Sequence, residues 1–406
     1  MRIIVHRGLR EIGGNIIEIA SETTRLLVDA GVELEGGTNP VDFQELIDRN
    51  KFDAVLVSHY HADHIGLLEE AENLPPVYMG KLAYEIYKCA REYAKGNVSF
   101  TPAGWLENGK KLVIGDIAIT PYLADHSAAD AYSLLFACGG KTVLYTGDFR
   151  SNGRKSFDRY LQSLPSKVDA LICEGTTLSR SEEQQMTEME LEKEMSGLMA
   201  GCKNQVFVMM AGTHIDRIVT VYKAMKPTGR LFLQDVYMAE IATVCRKKHI
   251  PNPVDFDDVY AYTGSPLDSK RHERARELLG NRFISRARAA QYRFVMYVRG
   301  NKSMLHFLKQ IDKTHDLDGS VLIYSMWNGY KDRPEMKAFL QEVEAMGIKI
   351  VDCHTSGHAD SQAIKNLICA VNPAMIVPVH TENEEWFLHE YDGIIQIETK
   401  KEIVLV

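Results

Sequence analysis

Apolar and polar positions alternate on a short period through the first 175 residues. The segments "RIIVH", "NIIEIA", "RLLVDAG", "DAVLVSH", "IAITPYL", "YSLLFA", "TVLYTGD" and "DALICEG" read as strands of roughly five to seven residues. Gly139-Gly140, between "YSLLFA" and "TVLYTGD", predicts a tight antiparallel hairpin. Two stretches, "VDFQELIDR" and "KLAYEIYKCAREYA", instead carry apolar residues at helical spacing. Beyond Ser179 the pattern lengthens. "EEQQMTEMELEKEMSGLMAGC" predicts a long helix, followed by "QVFVMM" with "HIDRIVTVYKAM", "RLFLQ" with "VYMAEIATVCRKK", and "SVLIY" with "RPEMKAFLQEVEAMG". Strands alternating with helices of this length predict a mostly parallel sheet. From "IKIVDCHTSGHA" onward the short pattern returns, through "SQAIKNLICAVN" and "AMIVPVHTE" to "KEIVLV". The expected organisation is one α/β body, residues 1–178 and 351–406, interrupted by a second α/β domain at 179–350.

Composition adds limits to that picture. The chain has 406 residues, 45% of them hydrophobic, which is ample for a large core. No stretch of about eighteen apolar residues occurs, so no membrane span is expected. "MRIIVHRGLREIGGN" lacks the apolar core and small-residue cleavage site of a signal peptide. Seven cysteines are scattered without a CxxC pair, which suits a reduced, cytoplasmic chain and leaves metal chemistry to His and Asp. The net charge is −8, but Lys270 to Lys302 holds ten Lys/Arg against two Glu. That run is either a solvated basic face or part of a phosphate track, with Tyr292, Phe294 and Tyr297 as stacking surfaces.

"SHYHADHIG" carries the candidate chemistry. His59, His61, Asp63 and His64 fall between the strand "DAVLVSH" and a helix expected to start in "HADHIGLLEEAE". On such a turn the side chains can converge on two adjacent points. His and Asp suit zinc or manganese.

The HxHxDH pattern resembles the signature of the metallo-β-lactamase superfamily, and the likeness continues downstream. Asp29 in "RLLVDAG" matches an aspartate that steadies a histidine ligand; His126 in "LADHSAAD", Asp148 in "LYTGDFR" and His380 in "IVPVHTE" match the later ligands. The resemblance implies an αββα sandwich with two divalent metal ions at one sheet edge, zinc first and manganese as the alternative. One ion would take His59, His61, His126 and Asp148; the other would take Asp63, His64, Asp148 and His380.

Three further matches resemble the β-CASP nucleases: Glu174 in "DALICEGTT", His358 in "HTSGHAD", and His380 itself, with the insertion lying between the first two. A histidine at the last of these positions is usual in RNA-processing members, where DNA-processing members usually carry valine. "IGGN" and "HTSGHAD" look most like the ribonuclease J family. The sequence stops soon after His380 without the C-terminal domain of that family, and has Thr381 where that family typically has glycine.

The resemblance implies phosphodiester hydrolysis of RNA, giving 5′-phosphate and 3′-hydroxyl ends, by endonucleolytic or 5′-exonucleolytic cleavage. Asp63 would orient the attacking water. His358 would stabilise the phosphate or protonate the leaving oxygen, working with Glu174. His354, Ser356 and the amide of Gly357 are candidate phosphate contacts. "SMWNGY", with Trp327, is either packing or the rim of a channel. Single-stranded RNA is the expected partner, because a slot between two domains would exclude duplex; a homo-oligomer is possible. A DNA nuclease of the same fold and a metal-bound, non-catalytic RNA-binding subunit are the competing readings.

Overall fold

The structure is a computed structural model that describes residues 1–34, 40–94, 96, 98–180, 185–246, 249–263, 270–289 and 291–405. The chain divides into two compact units. Met1–Lys88, Gly96–Gln185 and Gly357–Val406 form the first; Cys89–Lys95 and Met186–Ser356 form the second.

Among the described residues, the first unit holds two seven-stranded sheets. In one the order is Glu402–Val404, Arg2–Arg7, Ile16–Ala20, Arg25–Val28, Ala54–Leu56, Val77–Gly80, Gly104–Leu106. In the other it is Gln396–Ile397, Met375–Val379, Ala170–Glu174, Lys141–Tyr145, Ala131–Cys138, Ile117–Ala124, Leu112–Ile114. Each sheet is antiparallel at one end and parallel at the other. Their inner faces share one core: Ile17, Ile19, Leu26, Val28 and Leu56 meet Leu134, Phe136, Tyr145, Ile172 and Val377. Each such side chain contributes about 1.5–3 kcal/mol on burial. The outer face of the second sheet, with Leu144, Leu171 and Ile376, is covered by helices Phe157–Ser163, Ser361–Val371 and Glu384–Tyr391. Helices Phe43–Asn50 and Lys81–Ala94 are crossovers between parallel strands of the first sheet. The expected αββα sandwich with an inserted α/β domain is therefore present.

The predicted hairpin is there too. Cys138 pairs with Lys141, and Gly139 and Gly140 have φ of 57° and 77°. Two successive residues in the left-handed region make the turn whose twist matches its strands, and glycine reaches that region without strain.

Among the described residues, the second unit is built on one six-stranded sheet, ordered Val259–Tyr262, Leu231–Asp235, Phe294–Val298, Val206–Met209, Val321–Tyr324, Lys349–Asp352. All of its pairings are parallel. The predicted long helix spans Glu188–Gly201; residues 182–184 of the stretch that suggested it lie outside the described residues. Thr187 caps it, accepting from Glu190 N while the Glu190 carboxylate accepts from Thr187 N, a reciprocal pair that satisfies two otherwise open amides.

Two expectations need correction. Phe294 and Tyr297 are not stacking surfaces: they lie in a central strand, 1% and 2% exposed. Of that group only Tyr292 is exposed; within the basic run, Ala290 and the side chains of residues 270–272 and 274 lie outside the described residues. The helix expected from "HADHIGLLEEAE" is only Ala62–Ile65, followed by a 3₁₀ turn at Gly66–Glu69. Its carbonyls are engaged elsewhere: Val32 N donates to Ala62 O, Asn15 N to Asp63 O and Ala30 N to His64 O. Those bonds tie the turn to neighbouring loops instead of extending it.

Candidate metal centre

Strand direction gathers the site. Ile117–Ala124, Lys141–Tyr145, Ala170–Glu174 and Met375–Val379 all run the same way, so their carboxyl ends share one edge. His126, Asp148, Glu174 and His380 lie at or just beyond those ends. In the facing sheet, parallel strands Arg25–Val28 and Ala54–Leu56 deliver Asp29 and the His59–His64 turn. Glycine is required beneath that turn: a Cβ on Gly31 would lie 1.7 Å from Asp63 O.

All seven candidate ligands converge. His59, His61 and His126 form one group, His59, His64 and Asp148 a second, and Asp63, His64 and His380 a third; within each, the ligand atoms lie within 4.8 Å of one another. His126 Nε2 is 3.1 Å from His61 Nδ1. Asp148 Oδ2 is 3.2 Å from His64 Nε2, 3.7 Å from His59 Nε2 and 3.9 Å from both His126 Nε2 and His380 Nε2. His380 Nε2 is 3.2 Å from Asp63 Oδ2.

The outer nitrogens of four histidines are each committed, which assigns their tautomers. His64 Nδ1 donates to Asp29 Oδ2 at 2.8 Å. His126 Nδ1 donates to the Gly357 carbonyl at 2.6 Å. Ser58 Oγ donates to Asp29 Oδ2 at 2.7 Å, so it accepts from His59 Nδ1 at 3.1 Å. Thr176 Oγ1 donates to Glu174 Oε2 at 2.6 Å, so it accepts from His380 Nδ1 at 2.8 Å. Each Nε2 then turns inward. His59 Nε2, His64 Nε2 and both Asp148 oxygens are buried without a hydrogen-bond partner among the described residues. Orphaned polar atoms of this kind are costly unless a cation satisfies them, so the donor set fits divalent metal.

Electrostatics agree with that use. Burial pushes the His59 and His126 imidazoles well below their ordinary range and His61 to about 4, so all three are neutral, the form that binds a cation. Burial opposes charge on His64 as well, but Asp148 and Asp29 outweigh it and raise this imidazole well above its usual value. Asp148 and Asp63 are held low by the surrounding histidines despite burial. Positive charge is thus stabilised where metal would sit.

Glu174 and His358 adjoin the cluster. His358 Nδ1 is 3.2 Å from Glu174 Oε2 and 3.6 Å from Asp148 Oδ2. Burial lowers the His358 pKa, but Glu174 and Asp148 more than offset it and the net shift is upward. The other Glu174 oxygen accepts from Phe149 N at 2.8 Å. Asp29 and His380 both sit at positive φ, 59° and 51°, a strained conformation typical of functional positions. His354 and Ser356 are half-buried in the second unit, with His354 Nδ1 3.5 Å from Arg217 Nη1.

Sequence reasoning missed the supporting hydroxyls. Ser58, Thr176 and Tyr145, which donates to Asp29 Oδ2 at 2.7 Å, hold the candidate ligands and their partners in place. All three lie within the quoted motifs, Ser58 beside His59, Thr176 near Glu174 and Tyr145 in "LYTGDFR" before Asp148, but nothing in the sequence marks their role.

Comparison with known proteins narrows the family. Residues 24–214 match the beta-lactamase superfamily domain, and residues 332–386 match a Zn-dependent metallo-hydrolase RNA specificity domain. Ribonuclease J of Sinorhizobium meliloti is 22% identical over 394 residues, covering 91% of this chain and 66% of that protein. Ribonuclease J 1 of Streptococcus pyogenes is 21% identical over 408 residues, covering 94% of this chain and 69% of that protein. The chain thus spans about two thirds of the length of these relatives. A crystal structure of a protein of unknown function from Enterococcus faecalis superposes with a TM-score of 0.79 at 19% identity, covering 100% of this chain and 99% of that one, which shows the shared fold. With the two matched domains, the edge-on His/Asp cluster and the inserted parallel sheet, the chain carries a beta-lactamase superfamily domain and resembles the ribonuclease J-like β-CASP family.

Proposed function

We propose that this chain is a metal-dependent ribonuclease that hydrolyses phosphodiester bonds of single-stranded RNA, leaving 5′-phosphate and 3′-hydroxyl ends, by endonucleolytic or 5′-exonucleolytic cleavage. The observation that carries the reading is the buried set of His59 Nε2, His64 Nε2 and the Asp148 oxygens, without hydrogen-bond partners among the described residues, beside His358. The match to an RNA specificity domain across residues 332–386 supports RNA as the substrate class.

His59, His61, His126 and Asp148 would hold one divalent ion, zinc by preference, and Asp63, His64, Asp148 and His380 a second. Bound there, metal supplies Lewis acidity, making water nucleophilic at neutral pH and offsetting phosphate charge. The remaining work falls to the chain. Asp63, held as a carboxylate, orients the attacking water. His358, its imidazolium favoured by Glu174 and Asp148, meets the phosphate or gives its proton to the leaving 3′-oxygen. Glu174 orients His358 directly and His380 through Thr176. His354, Ser356 and the Gly357 amide serve as phosphate contacts in this reading. A cytoplasmic place of action is part of it, in keeping with seven unpaired cysteines.

The test uses purified protein with zinc or manganese on matched single-stranded RNA and DNA carrying a 5′-monophosphate, beside an Asp63→Ala/His64→Ala variant. RNA cleavage that disappears in the variant supports the reading, and the product ladder separates endo- from exonucleolytic cutting. Cleavage of DNA alone, or of neither, overturns it.

A further inference from the structure

In open parallel sheets, ligands bind beyond the carboxyl ends of the strands. In the second unit, the stretch "SMWNGYKDR" leaves strand Val321–Tyr324 at that edge. Trp327 within it is 46% exposed. Its indole is nevertheless fixed. A Cβ on Gly329 would lie 2.3 Å from the indole Cη2, so the ring rests directly on the Gly329 backbone. Tyr330 packs edge-on against it, centroids 5.3 Å apart at 86°. Tyr330 N donates to Trp327 O at 3.1 Å, closing the turn beneath the ring. Ser325 anchors the base of the loop through Ser325 N to Met209 O at 2.8 Å and Ser325 Oγ to Cys353 O at 2.6 Å.

Cations interleave with these rings. The Arg333 guanidinium lies 4.7 Å over Tyr330, and Lys331 Nζ lies 4.6 Å over Tyr324 while pairing with Asp352. A large aromatic ring held rigid and half exposed, with Arg333 and the Asp352-paired Lys331 beside it, is an arrangement suited to an unpaired base and its phosphate. The loop is anchored before any partner arrives, which spares the ordering cost that a free side chain would incur.

We propose that Trp327 is a stacking platform for an unpaired nucleobase of single-stranded RNA, with Lys331 and Arg333 drawing the adjoining phosphates. The proposal rests on the RNA reading above and adds a base-binding subsite to it. Stacking is tolerant of base identity because every base offers a π face, so the platform contributes affinity without sequence choice.

Tryptophan emission provides a direct readout, since the chain has only Trp105, Trp327 and Trp386. The full chain, in chelator so that nothing is cut, is titrated with a 5′-phosphorylated single-stranded RNA of mixed sequence. A matched chain of abasic ribose phosphates runs in parallel. RNA should quench emission and the abasic chain should not. Trp327→Phe should abolish the quench with modest loss of affinity, and Trp327→Ala should weaken binding about tenfold. Gly329→Ala keeps the indole but pushes it off its seat, and should also weaken binding and reduce the quench. Equal quenching by the abasic chain, or quenching retained in Trp327→Phe, overturns the proposal. Cleavage of the same RNA is measured separately with metal restored. Binding through Trp327 without cleavage would sink the ribonuclease reading alone; cleavage with Trp327→Ala binding as tightly as the parent would sink the platform alone. An absence of any RNA binding would overturn both.

Discussion

Arg150 Nε lies 3.3 Å from Asp125 Oδ1, and both side chains are buried, one in the loop after His126's strand and one beside Asp148. Arg150 N also donates to Asp125 O at 2.7 Å, and Lys155 N to Asp125 Oδ2 at 2.9 Å. The pair therefore fastens two loops that each present a candidate ligand. Removing one partner of a buried ion pair costs about 3–5 kcal/mol. Asp125→Ala should lower the unfolding midpoint and reduce metal content together. Full metal occupancy in a destabilised variant would confine the pair to a folding role.

Asp29 accepts from Ser58 N, Ser58 Oγ, His64 Nδ1 and Tyr145 OH. Asp29→Ala strands all four donors. Losing such an outer partner weakens metal binding about 10–100-fold. Competition against a chelator of known affinity measures this, and an affinity within twofold of the parent would refute it.

Thr176 passes a hydrogen bond from His380 to Glu174. Thr176→Val preserves shape but takes the acceptor from the buried His380 Nδ1, about 1–3 kcal/mol, while Glu174 Oε2 keeps His358 Nδ1. Metal affinity and thermal stability should both fall, and Thr176→Ser should restore them. Equal behaviour of the valine and serine variants would remove the hydroxyl from the account.

Metal itself should stabilise the fold, since it satisfies buried groups that have no other partner among the described residues. A ligand at a thousand times its Kd adds about 4 kcal/mol. Zinc or manganese should raise the melting temperature of chelator-treated protein, and His59→Ala/His64→Ala should blunt the rise. A melting temperature indifferent to metal would contradict the site.

Away from the site, Glu18 is fully buried, with Arg25 Nε 2.7 Å and His6 Nε2 2.9 Å from its oxygens. Burial pushes its carboxyl up, but the bonds to His6 and Arg25 prevail and the pKa is lowered. A depressed carboxyl stabilises above its unfolded value of about 4.3 and loses that contribution as pH falls through the folded value. Urea midpoints of the parent and Glu18→Gln should differ most near neutrality and converge toward pH ~3. A gap that is constant with pH would show that charge is not involved.

How much of this was legible in the sequence follows from where each residue sits. His59, His126, Asp148 and His380 could be picked out because each follows an apolar strand within a few positions, and strand ends make sites. Ser58, Thr176 and Tyr145 could not be given roles, because a hydroxyl's partner depends on which loops meet across the sandwich. The strand Phe294–Val298 was hidden by the arginines at 293 and 299, which made a buried central strand read as part of a basic face. The helix after His61 was overestimated because its apolar spacing continues, whereas its carbonyls are already taken by residues 15, 30 and 32.

The first unit is assembled from three separated stretches, and Met375–Val379 lies between Ala170–Glu174 and Gln396–Ile397. His380 rides on that late strand. On the ribosome, a chain synthesised from its amino terminus would therefore carry the histidine-rich turn long before the cluster could close. Pairings this distant in sequence also form slowly. An interrupted translation product would keep six of the seven candidate ligands yet lack the strand that completes them, which makes full-length synthesis a built-in licence for activity.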